Sequence, residues 1–462
     1  MVRPTRALSV SAVMIVVSGI VASPTTATAA APPDAVPRYR LAVGQELVFK
    51  EESTFKYGKA PHQGSIGSRS DWTVWTVRRN DDGSYRLVLR SVERSKFDGK
   101  ESGEPRSSLA YFDLTTDGRL LPNSTIGFHV NPASIFPRLP ADERELRNGW
   151  TEFDRQTDAA STFQVQSRPK SAGQVWTIRE VRKTPMDEIY LSTYKATITF
   201  DPARGLADKI ESESTQGYGF DGKGTGTTDF VSTATHDAAW SNQLWEQADR
   251  FFTASKAYHD KMKLASRDAD AAKKLGDEAK ALLVAAQKSV TLPVVKDQLD
   301  QELKQHDQMV TYCTEQAHRR AEVVGRPAAD FKVDDLKGKP HALKDFKGKV
   351  VVMDFWYRGC GWCMRAMPQV KELEEEFRDQ PVAVLGMNTD RNEADAKFVI
   401  DKMGLTYPTL KAEGLPEKYG VRGFPTLVII DKQGKVQDLY VGYSPDLHKE
   451  VGEIVRNLLA KK

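Results

Sequence analysis

Cysteine is scarce in this chain: three residues among 462, at positions 313, 360 and 363. Three cannot build much of a disulfide framework, and a chain of this size does not depend on one. An excess of either charge is also missing. The 66 basic and 63 acidic residues leave a net charge of +3. That balance gives no electrostatic reason to expect nucleic acid or an anionic membrane as the main partner. Beyond the N-terminus no segment is apolar enough to span a bilayer. At roughly 150 residues per domain, the length calls for two or three units.

What is present begins with an export-type segment. Arg3 and Arg6 precede an uncharged run of small and apolar residues, Ala7 to Ala22. Ala27-Thr28-Ala29 and Ala29-Ala30-Ala31 then offer A-x-A cleavage sites. The reading is a signal peptide over 1–31. The run is short against the about 20 residues of a membrane span, and an uncleaved anchor is the alternative. No cysteine sits near the cleavage site for lipid attachment. No Arg-Arg pair precedes the run, which favours general secretion over the twin-arginine route. The mature chain is expected outside the cytoplasm, in the periplasm or cell envelope.

Residues 38–235 read as a β-rich domain. Trp72 to Val77 and Tyr85 to Leu89 flank the turn Asn80-Asp-Asp-Gly83, where glycine supplies the positive φ of a tight turn. Short runs recur at 47–49, 110–114, 162–165, 175–178 and 194–200, which predicts a twisted sheet, sandwich or open barrel. Residues 236–324 read as a helical connector. Trp240, Leu244, Ala248, Phe251, Tyr258 and Met262 recur at helical spacing, as do Leu299, Leu303, His306, Val310, Cys313 and Ala317. Two or three amphipathic helices follow, serving as a packed spacer or as a homodimer interface. Residues 325–462 alternate strand and helix, an α/β pattern: strands at 350–356, 382–387 and 427–430, helices at 365–377, 393–403 and 446–459.

Cys360-Gly361-Trp362-Cys363 follows the first of these strands and opens a helix. A helix N-terminus stabilises a thiolate, which is the reactive form of cysteine. Spacing of three lets the second thiol attack a mixed disulfide formed at the first. Zinc would need a second ligand pair, and covalent haem a histidine where Met364 stands. A static disulfide is the bland alternative. Gly217 to Gly224 nearly matches a phosphate-binding loop, but its last position is glycine and β-type sequence follows, so it reads as a hairpin loop. Cys313 reads as a buried free thiol. His306 and His318 stand seven and five residues from it, which does not make a compact metal site.

Four features make residues 325–459 resemble the exported thioredoxin-like redoxins of the TlpA/ResA type. They are Asp354-Phe-Trp-Tyr-Arg-Gly-Cys360-Gly-Trp-Cys363; Pro368 in the following helix; Gly423-Phe424-Pro425-Thr426, similar to the family's cis-proline loop; and a lead-in hairpin from Phe331 to Val350. The resemblance implies a thioredoxin-like fold and thiol–disulfide exchange without cofactor or metal. It assigns attack to Cys360 and resolution to Cys363. Asp354 becomes a buried proton carrier, Pro425 packs on the disulfide, and Trp362 and Phe424 contact substrate. It implies protein disulfides as substrates, a membrane electron donor, and a reductase role. The chain departs from many relatives at Ala366, where they carry glutamate, and at Trp362, where reductases often carry proline. Tyr357, three residues before Cys360, disfavours a peroxide-reducing peroxiredoxin. An alternative function is a binding or scaffold protein whose redox domain is secondary.

Overall fold

The computed structural model describes residues 36–59, 62–121, 131–154, 159–171, 173–184, 186–218 and 221–461. The segment read as an export signal lies outside them. Ten antiparallel strands come first: β1 Gln45–Lys59, β2 His62–Arg79, β3 Tyr85–Phe97, β4 Lys100–Leu114, β5 Trp150–Asp154, β6 Ala159–Ser167, β7 Trp176–Lys183, β8 Thr193–Asp201, β9 Leu206–Gln216 and β10 Gly222–Thr235. They form one sheet in the order β4-β3-β2-β1-β10-β9-β8-β7-β6-β5. The sheet is two meanders joined where β1 meets β10, with Gln45 opposite Thr235. The expected hairpin at 72–89 is β2–β3, and the glycine-rich stretch after Gln216 connects β9 to β10. Two short helices interrupt the strands, α1 (Glu143–Asn148) and α2 (Met186–Tyr190).

Period-two alternation gives this sheet two apolar faces. Trp72, Val74, Leu87, Leu89, Ala110 and Phe112 pack into one core with Ile135, Phe136 and Leu139 from the connection after β4. Trp75, Val77 and Val88 face the other way, against the helices. These are α3 (Ala238–Ala265), α4 (Ala272–Gln287) and α5 (Pro293–Val323). Asp237 caps α3 through the Trp240 amide at 2.7 Å, and Pro293 opens α5, where its missing N–H is harmless. Tyr111 packs edge-on against Trp245 at 5.2 Å, and Trp75 lies 6.2 Å from Trp240. Gly276 lets α4 approach α5, since a Cβ there would stand 2.8 Å from Val310. Most apolar residues of the helices thus pack against one another and against the sheet, while Leu264 and Tyr312 are exposed.

The last third holds β11 (Lys332–Asp334), β12 (Pro340–Ala342), β13 (Val350–Trp356), α6 (Gly361–Phe377), β14 (Val382–Asn388), α7 (Glu393–Met403), β15 (Thr409–Lys411), β16 (Thr426–Ile430), β17 (Val436–Val441) and α8 (Leu447–Ala460). β11 and β12 form the lead-in hairpin. The other five strands run β15-β14-β13-β16-β17, with β13 parallel to β14 and antiparallel to β16. β13 is the central strand of this sheet, and the redox cysteines follow its C-terminal end at the start of α6.

The end of α5 belongs physically to this last unit. Arg320 pairs with the buried Asp438 on β17 and donates to the Leu439 carbonyl at 3.2 Å. Val323 packs into the core beside Tyr419 and Leu439. Removing one partner of a buried ion pair leaves the other charge uncompensated. A fragment of residues 325–462 is expected to fold, yet to melt about 5 °C or more below one beginning at residue 316. Equal melting temperatures by circular dichroism would show that the α5 terminus contributes nothing.

Candidate functional site

β13 is seven residues long, apolar or aromatic throughout except for Asp354, and all seven are buried. A central strand covered on both faces reads as such a run. The chain leaves the sheet at Trp356 and turns through Tyr357 to Gly359 into α6. Cys360 is the N-cap of that helix: its Sγ accepts the Cys363 amide at 3.1 Å. The two cysteines are disulfide-bonded, with Cα atoms 5.2 Å apart. Cys360 is 6% exposed and Cys363 1%. The free N–H groups of the first turn point toward Cys360 and favour negative charge there. Pro368 lies inside α6, as expected.

Asp354 shares a face of β13 with Trp356, and Trp356 packs with Cys360, Cys363, Met364 and Met367. Burial pushes the Asp354 carboxyl up to about 7, and neither of its oxygens has a hydrogen-bond partner. Desolvation alone explains the direction, because it penalises the charged form. Across the sheet Asp354 stands opposite Gly386, and Gly386 opposite Thr409. A Cβ at 386 would lie 2.8 Å from Thr409 Oγ1 and 3.1 Å from Trp356 Nε1. Glycine there leaves room for these polar groups. Tyr407 is fully buried, and desolvation together with the Asp354 carboxylate holds its hydroxyl well above the usual range. Tyr407 and Thr409 are additions to the expected set. No motif marks them, because only pairing across β14 brings Thr409 into register with Asp354.

The Phe424–Pro425 peptide bond is cis. Pro425 is buried, and its carbonyl accepts the Gly442 amide at 2.9 Å. Phe424 meets Tyr357 edge-on at 5.3 Å. Trp362 is 44% exposed, stacks on Tyr443 at 5.6 Å, and lies under the Arg365 guanidinium at 4.9 Å. An aromatic rim therefore surrounds the cysteine pair on its own domain.

A second group reaches the pair from the N-terminal sheet. Ile189 of α2 is fully buried in the cluster that contains Cys360, Cys363 and Trp356. Tyr190 donates its hydroxyl to the Arg358 carbonyl at 3.3 Å, across 168 residues of sequence. Burial pushes that hydroxyl up to about 12, so it stays protonated at physiological pH. Arg358 is buried. Its Nη1 donates to Asp395 and its Nη2 to the Ile189 carbonyl, both at 2.8 Å. Sequence proximity places Arg358 beside Cys360, but its guanidinium is held by these partners. Nothing in residues 186–218 signals such contacts; they exist only once the two units are packed.

Among the described residues no group of three His, Cys, Asp or Glu side chains could hold a metal ion. Cys313 is a buried free thiol whose pKa burial raises. No described helix is long and apolar enough to cross a membrane.

A family model described as Redoxin matches residues 323–455. Thiol-disulfide oxidoreductase ResA of Geobacillus thermodenitrificans is 35% identical over 126 residues, covering 27% of this chain and 72% of that protein. Thioredoxin-like protein YneN of Bacillus subtilis is 34% identical over 122 residues, covering 26% of this chain and 71% of that protein. Among solved structures, the thioredoxin domain of a thiol-disulfide oxidoreductase from Bacteroides vulgatus is 31% identical, covering 29% of this chain and 98% of that one, with a TM-score of 0.27. Through its C-terminal domain, with Cys360 capping α6, this chain belongs to the thioredoxin-like redoxins of the ResA type and is a thiol–disulfide oxidoreductase.

Proposed function

We propose that the chain is an exported reductase of protein disulfides, with Cys360 attacking and Cys363 resolving. One observation carries the assignment: Cys360 caps α6 at 6% exposure, whereas Cys363 lies beneath it at 1%. The Cys360 thiolate attacks one sulfur of a substrate disulfide and expels the other as a thiolate, which takes a proton. Cys363 then gives its proton to the Asp354 carboxylate and attacks Cys360 Sγ, releasing the second substrate thiol. The substrate gains two electrons and two protons, and the enzyme gains the Cys360–Cys363 bond. Asp354 returns its proton to the departing thiolate or to solvent. A carboxyl near 7 suits this work, because both of its forms are populated at neutral pH. Pro425, Phe424 and Trp362 form the surface along which the substrate lies.

The helix N-terminus favours the thiolate and so the dithiol form. The burial of Cys360 itself and a charged Asp354 oppose it, and Arg358 is held by Asp395 and Ile189. These effects offset, which points to reduction rather than strong oxidation. A membrane dithiol donor on the far side of the export route would restore the reduced state. Export rests on Arg3, Arg6 and the apolar run to Ala22. In this reading the mature chain comprises a β domain at 38–235, a helical connector at 236–324 and the redox domain at 325–462.

Substitution of the thiols tests the assignment. Cys360→Ser is expected to lower exchange at least about 100-fold. Cys363→Ser should leave attack intact and accumulate mixed disulfides on Cys360, visible on non-reducing gels. Adducts on Cys363 in the Cys360→Ser chain would reverse the roles.

Asp354 carries a second test with two readouts. Its carboxyl pKa is raised on folding, so its contribution to stability is complete below about pH 4 and is lost between there and about 7. Asp354→Asn should leave the melting temperature unchanged at about pH 4 and raise it at about pH 8. The same change should slow exchange about tenfold at neutral pH, with the deficit shrinking toward about pH 9, where thiols ionise unaided. An unchanged pH–rate profile would leave Asp354 a structural role only.

A further inference from the structure

The connection from β7 to β8 leaves the sheet as a small, braced knob. The Asp187 carboxylate accepts from the Thr184 amide and hydroxyl and from the Ser192 hydroxyl, at 2.8 to 3.0 Å. The Tyr190 carbonyl accepts both the Gly217 and Tyr218 amides at 3.0 Å, which ties α2 to the β9 end of the next hairpin. These bonds brace the knob from within its own unit. Its tip is nonetheless apolar and buried in the redox domain: Ile189 lies beside Trp356, Cys360, Met364 and Val399.

Arg358 is the anchor on the other side. Its guanidinium is sandwiched between the Tyr218 ring at 3.6 Å and the Phe398 ring at 4.2 Å. Its two terminal nitrogens bridge Asp395 and the Ile189 carbonyl. Arg358 is therefore shared between the units, through ring faces and through hydrogen bonds. Tyr190 goes further toward the chemistry. Its hydroxyl bonds the carbonyl two residues before Cys360, and a Cβ on Gly361 would stand 3.8 Å from it. An exposed ion pair between Glu188 and Lys402, at 2.8 Å, closes the outer edge.

We propose that α2 is a substrate-selecting wall of the redox site and that Tyr190 is its specificity-determining residue. The inference rests on the exchange chemistry assigned above to Cys360. The Tyr190 wall stands on one side of the pair. On its own domain the pair is rimmed by the aromatic surface of Tyr357, Phe424, Trp362 and Tyr443. Cys360 stays 6% exposed between them. The chemistry that fits is a cysteine on an extended segment with apolar or aromatic neighbours, able to lie along the aromatic rim. A disulfide on a compact folded surface meets the knob first and is disfavoured by steric conflict. The β domain thereby acts on substrate choice without contributing a reacting atom.

The test uses the reduced full chain and two probes, glutathione disulfide and native insulin, with second-order rate constants measured for each. Tyr190→Ala is expected to raise the insulin-to-glutathione ratio at least about fivefold, and Tyr190→Phe, which keeps the ring, to hold it within about twofold of the unaltered chain. A merely structural role would lower both rates together and leave the ratio still. Tyr218→Ala, which withdraws the ring from Arg358, should move the ratio in the same direction and serves where Tyr190→Ala fails to fold. A ratio within about twofold in the folded alanine variants, or an equal shift in Tyr190→Phe, overturns the proposal. Cys360→Ser is run alongside. Exchange that survives it refutes the underlying chemistry instead, so the two failures are distinguishable.

Discussion

Everything at the redox site depends on the complete burial of β13. Seven residues held without exposure between β14 and β16 fix where the strand stops and where α6 starts. The position of Cys360 at the helix N-terminus is a consequence of that stop. So is the state of Asp354. A carboxyl placed in such a strand cannot be solvated, and its pKa rises to about 7. Relative to an ordinary aspartate, that disfavours the charged form by about 4 kcal/mol, which the apolar packing of the strand must offset. The loss in stability and the raised pKa on which the proposed proton-carrier role rests have one cause, the desolvation of a single side chain.

The same strand end is where the two halves of the molecule meet. Arg358, two residues before Cys360, is nearly inaccessible and is contacted by Asp395 and Phe398 from its own domain and by Ile189 and Tyr218 from the other. A guanidinium so engaged places its charge on the domain junction. Stabilisation of a thiolate at Cys360 then falls mainly to the amides of the first turn of α6. Access and reactivity are separated in this arrangement: the helix terminus governs the thiol, and the packed knob governs what reaches it.

How far the sequence disclosed this follows the distance over which each signal acts. The cysteine pair, the helix from 393 to 403 and the cis-proline loop were legible because each is a local pattern. The β2–β3 hairpin was legible from its Asn-Asp-Asp-Gly turn. The union of ten strands into one sheet was not, since β1 meets β10 almost the whole domain later and period-two alternation carries no partner information. Trp72 and Trp75 illustrate the point. Three residues apart on one strand, they belong to different cores on opposite faces. The Arg320–Asp438 pair places the end of α5 against the redox domain, upstream of a boundary read from periodicity at 325. Tyr190 and Thr409 had no local signal, because their roles exist only across strands or across domains.

The proposed reductase role requires a Cys360–Cys363 pair whose dithiol form readily reduces other disulfides. Equilibration of the full chain with glutathione buffers of graded potential, followed by mass-spectrometric mapping of the bonds formed, tests it most directly. The expected result is a single Cys360–Cys363 couple, with Cys313 remaining a thiol, and a midpoint nearer about −270 mV than about −120 mV. A midpoint at or above about −150 mV, or a bond that includes Cys313, would contradict it.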